Sequence, residues 1–147
     1  MEIVLKKINP SNHTLSISKK GKIFEQVSLD TKTYFLHDIT HYCVEKELKL
    51  KDGFWGMIDQ GYKMEQLSGK NNELTDELRR VEQIVGPTQS VFSGYMSVEM
   101  FRENMQLINF TSANPHFIEN VIEKIEVIMN QWKYLAIGQT LELEFTI

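Results

Sequence analysis

The sequence predicts an α+β fold, in which a small antiparallel sheet packs against about five helices. Two patterns point there. Near both ends of the chain, apolar and polar residues alternate with the period of a half-buried strand. Between Thr33 and Tyr134, apolar residues recur every three or four positions, the spacing of one helix face. The length of 147 residues adds a third observation: it suits one domain, 1–147, on a prior of roughly 150 residues each. Such a domain buries roughly 70% of its unfolded surface, enough for a core of its own.

Each element has a local reason. Met1–Ile8 is apolar with two lysines, and Asn9-Pro10-Ser11-Asn12 gathers turn formers. His13–Lys19 places Leu15 and Ile17 on one face; Lys20-Gly21 turns the chain into a third strand, Lys22–Leu29. Short turns between three strands imply an antiparallel meander. Tyr34–Leu48 reads as a first helix. Asp52 is placed to cap a second, Gly53–Leu67, by accepting from free first-turn N–H groups. A third runs from about Asn72 to Val85, its charged side (Glu73, Asp76, Glu77, Arg79, Arg80, Glu82) reading as a solvated outer face, with Gly86-Pro87 as its stop. Ser97–Ile108 forms a fourth. Asn114-Pro115 opens a fifth, striped by Phe117, Val121, Ile125, Ile128 and Trp132. Thr140–Ile147 alternates strictly through Leu141, Leu143, Phe145 and Ile147, which predicts a terminal strand paired with the meander. The acids Glu142 and Glu144 are expected opposite lysines such as Lys6, Lys7, Lys19 or Lys22, because residues 1–32 carry six Lys and only three acids.

Composition narrows the function classes. The chain is 41% apolar and 24% charged, with 3 Pro and 8 Gly, which excludes a disordered or fibrous protein. No stretch reaches the ~18 consecutive apolar residues of a membrane span. Met1–Pro10 lacks the basic-then-apolar order of a secretory signal. The single cysteine, Cys43, excludes an internal disulfide framework and fits a reducing cytoplasm. A net charge of −4 speaks against a nucleic-acid partner. Phosphate loops, dinucleotide fingerprints and serine-hydrolase elbows have no motif here.

One constellation carries chemistry. On a helix, His37, His41 and Glu45 rise along one face at steps of four, with Asp38 beside them. Two imidazoles one turn apart suit one divalent, zinc-like ion, and Asp38 or Glu45 would ligate it, take a proton or orient a histidine. The helix is apolar around nearly its whole circumference, so its polar groups need partners. A metal is one such partner. The alternative is a non-enzymatic binding or assembly protein, a homodimer for example, with His37, His41 and Glu45 in a buried structural network that includes Tyr34 and Tyr42. Cys43 projects away from the histidines and reads as a small buried hydrophobe; His116 is an exposed residue or a distant ligand.

The run Phe35–Glu45, with Gly53-Phe54-Trp55-Gly56 after it, resembles a family of small uncharacterised bacterial proteins with an HDxxHYxxE…GFWG signature and no assigned activity. The HDxxH element is also similar to the HDxxH(x11)E zinc motif proposed for a ubiquinone-biosynthesis family. That likeness would make His37, Asp38 and His41 zinc-binding, but the residue twelve after His41 is Gly53 rather than Glu. Trp55 and its flanking glycines are expected to pack beside the histidine helix.

Overall fold

A computed structural model describes residues 1–68 and 74–147. The start of the third expected helix, at Asn72, lies outside the described residues. Three strands come first: β1 (Glu2–Lys7), β2 (Asn12–Lys19) and β3 (Lys22–Asp30). Among the described residues six helices follow, α1 (Thr31–Leu48), α2 (Phe54–Asp59), α3 (Met64–Leu67), α4 (Asp76–Phe92), α5 (Val98–Leu107) and α6 (Phe117–Tyr134); then comes β4 (Thr140–Glu144). The sheet is antiparallel in the order β3-β2-β1-β4, so the C-terminal strand pairs with the meander. This is the α+β architecture that the two periodicities imply.

One face of the sheet is covered. Ile3, Leu5, Leu15 and Ile17 are fully buried in one core with Phe35 and Ile39 of α1 and Val121 and Ile125 of α6. The cross-strand charges fall otherwise than expected. Glu142 stands opposite Val4 and Glu144 opposite Glu2, while Lys6 faces Thr140. The register is set by Leu141 meeting Leu5 and Leu143 meeting Ile3 on the core side, and apolar burial outweighs the ~0.2–1 kcal/mol of a surface charge pair. Strand β4 also ends earlier than the alternation suggests; Phe145 is still buried and bonded to Met1, but Thr146 and Ile147 leave the ladder.

Two helix C-terminal ends differ from the sequence reading for opposite reasons. The expected Gly53–Leu67 helix is split after Asp59. Gly61 adopts φ +110°, its N–H reaches Ile58 O, and Tyr62 N–H reaches Met57 O, the paired bonds that close a helix on a left-handed residue. Gly53 rather than Asp52 is the capping residue, and it lends no side-chain bond. Helix α4, in contrast, runs through Gly86-Pro87 to Phe92. Pro87 removes a single i→i−4 bond, and burial of Ile84, Val85 and Thr88 against the neighbouring helices offsets it. Helix α6 begins two residues later than Asn114-Pro115; Asn114 instead accepts from the His116 N–H ahead of the first turn.

Helix α1 is the central element, packed against α2, α4 and α6 as well as β3. Asp30 caps it by accepting from Thr33 N–H. Its second half, Asp38 to Glu45, is buried without interruption, which brings polar groups into the interior with their partners.

Candidate metal centre

His37 and His41 project from the same face of α1, their ring centroids 4.6 Å apart at 67°. His41 is wholly buried, whereas the His37 side chain is 40% exposed. Opposite them, α4 presents Glu82. Its Oε1 lies 2.9 Å from His41 Nε2, and its Oε2 lies 3.6 Å from His37 Nε2. One atom from each of His37, His41 and Glu82 comes together within 4.8 Å, a geometry that could hold a metal ion.

The other ring nitrogens are occupied by the other two carboxylates. His41 Nδ1 is 3.0 Å from Glu45 Oε2, and His37 Nδ1 is 3.6 Å from Asp38 Oδ1. Glu45 and Asp38 therefore stand behind the imidazoles, while Glu82 stands in front. His41 Nε2 is buried without a hydrogen-bond partner, because Glu82 Oε1 is close but off the line a ring N–H requires. His13 Nε2 is buried in the same condition, between the Phe35 and Trp132 rings, so it is the approach of Glu82 to both histidines that sets His41 apart.

Charge follows the same layout. Asp38 first, then Glu82, outweighs burial and raises the His37 imidazole to about 9. Burial would lower His41, but Glu45 and Glu82 together raise it. Glu82, which burial would push up, is held at about 2 by His37 and His41. The site is thus a compact array of opposite charges in which Glu82 faces both imidazoles.

The Gly53–Gly56 segment lies beside this array. The Phe54 ring is 5.7 Å from that of His41, Trp55 Nε1 donates to Asp38 O at 3.0 Å, and Gly56 N–H donates to Glu45 Oε1 at 3.0 Å. Trp55 is 1% exposed.

Residues of the network reading are distributed differently. Tyr42 OH donates to Glu144 O at 2.9 Å, on the sheet side, and Tyr34 is 40% exposed. Cys43 is buried, its thiol pushed up to about 12 by burial, and His116 is an exposed residue at the start of α6.

Glu82 is the participant that sequence reading leaves on the solvated face. A faint signal exists: it follows Leu78 by four residues and precedes Val85 by three, so it borders the apolar stripe of α4 rather than opposing it. Only the tertiary approach of α4 to α1 identifies its partner. No family model, curated protein or solved structure matches the chain.

Proposed function

We propose that this protein is a metalloprotein holding one divalent, zinc-like ion between α1 and α4. The ligands are His37 Nε2, His41 Nε2 and a Glu82 carboxylate oxygen. The observation that carries the reading is the convergence of His37, His41 and Glu82, one ligand atom of each within 4.8 Å of the others, while Glu45 engages the opposite ring nitrogen of His41. The donor set suits zinc and its neighbours, which favour imidazole and carboxylate. Ligand atoms around a tetrahedral zinc stand roughly 3.3 Å apart. Here the three ligand atoms lie within 4.8 Å of one another, so a modest inward movement of these side chains would close them on an ion.

Three protein ligands leave a coordination position free, and the partial exposure of His37 and Glu82 supports one that faces solvent. Zinc sites of this kind keep a water in the open position and lower its pKa to about 7. A hydrolytic role follows from that chemistry.

Elemental analysis of protein purified without an affinity tag tests the reading, followed by zinc titration calorimetry. One equivalent of bound metal is expected. Replacing both His37 and His41 with Gln should abolish it, since Gln is a poor ligand for such ions. A wild type with no metal affinity, whose melting is insensitive to chelator while the double variant is strongly destabilised, would instead leave His37, His41, Glu45 and Glu82 as a structural ion-pair network.

A further inference from the structure

Resting on that metal reading, we infer that the Gly53–Gly56 turn is a positioning device for the centre, and that it acts through Glu45. The Glu45 carboxylate is fully buried, and among the described residues each of its oxygens has one hydrogen-bond partner. Oε1 accepts from the Gly56 backbone N–H, and Oε2 faces His41 Nδ1. A backbone N–H can only donate, so Oε1 is committed as an acceptor. Oε2 of the carboxylate is an acceptor as well, so Nδ1 keeps its proton whether or not His41 is charged, and the proton facing Glu82 on Nε2 is the one a metal would displace. Glu45 thereby selects the tautomer a metal requires.

The turn is built to permit this. A Cβ at Gly53 would overlap the Glu45 carboxyl carbon, and a Cβ at Gly56 would overlap the Lys51 carbonyl. Both glycines are places where backbone must come closer than any side chain allows. Phe54 adds an apolar wall beside the His41 ring, and Trp55 ties the turn to the Asp38 carbonyl. The two sequence motifs, one on α1 and one at the start of α2, therefore form a single unit.

Glu45→Gln provides a direct test. Gln offers one acceptor where two donors wait, so either Gly56 N–H or His41 Nδ1 must face an amide NH₂. Zinc affinity, measured by competition with a chromophoric chelator, should fall about 10–100-fold although His37, His41 and Glu82 are all retained. Gly53→Ala should weaken it in the same direction by displacing Glu45, and it decides the question if Glu45→Gln fails to fold. Long-range ¹H–¹⁵N spectra of the zinc-loaded wild type need no variant: the His41 proton is expected on Nδ1. A folded Glu45→Gln or Gly53→Ala protein with unchanged zinc affinity overturns the inference, as does a His41 proton on Nε2. A wild type that binds no zinc overturns the metal reading, and this inference with it.

Discussion

At His37 the pH dependence of the metal-free protein is set by which state gains protons first. The folded imidazole is raised from 6.5 to about 9, so its contribution is fully present below pH 6.5 and is lost as pH rises through about 9. His41, also raised, adds to that alkaline limb. Glu82 is lowered from 4.5 to about 2, so its contribution is present above pH 4.5 and is lost as pH falls through about 2. His13 acts in the same sense as Glu82. Burial between the Phe35 and Trp132 rings pushes it below 6.5, and folding then opposes the proton it would take up in acid. Chelator-treated protein should therefore melt highest near pH 6.5, by differential scanning calorimetry, and His37→Gln should flatten the alkaline limb while sparing the acid one. An alkaline limb unchanged in that variant would show that His37 is not held by Asp38 and Glu82. Added zinc should reverse the alkaline trend, because a metal takes the deprotonated ring. His37, His41, Asp38 and Glu45 were legible in the sequence, since their spacing alone puts them on one side of α1. Glu82 was not, since a charged residue bordering a helix stripe looks solvated until another helix is packed against it.

Among the elements, α2 and α4 show why helix limits were harder to read than strand patterns. Strand faces are dictated by local alternation, as at Leu15 and Ile17, and both are fully buried. Helix ends depend on a contest between backbone preference and packing. Gly61 wins that contest at φ +110°, and Gly86-Pro87 loses it because Ile84, Val85 and Thr88 are buried around the break. The two glycines should respond oppositely to alanine. Gly86 sits inside α4 with space at its Cβ except toward its neighbour Pro87, whose ring disfavours a helical Cβ before it, so Gly86→Ala is expected to stabilise by no more than about 0.5 kcal/mol. Gly61→Ala should destabilise, since the left-handed backbone there is costly to any side chain. Urea denaturation of both variants checks the pair, and equal signs would contradict the helix boundaries described. Trp55, 1% exposed and hydrogen-bonded to the Asp38 carbonyl, anchors α2 on α1. Trp55→Ala should cost about 3–5 kcal/mol in the same experiment; a loss below about 1 kcal/mol would place the ring in solvent.

The whole molecule depends on strand β4 closing the edge of β1. Leu141 and Phe145 are buried, and Met1 and Phe145 exchange backbone bonds of 2.9 and 3.2 Å. Deleting residues 140–147 should leave an insoluble protein, because the core face and an inner strand both lose their cover. Soluble, cooperatively melting protein from that deletion would show β4 to be dispensable. The contact between His41 and Glu82 has a further consequence, of chain statistics rather than chemistry. These residues are 41 positions apart in sequence, on helices that would otherwise separate freely once unfolded. An ion grasping both ends would tie off a loop of that length, as a covalent bridge does. The entropy such a tie removes from the unfolded ensemble is about 4 kcal/mol for a loop of this size. In hydrogen exchange, the amides of α1 and α4 would then open together as one unit when the ion is bound and separately when it is stripped.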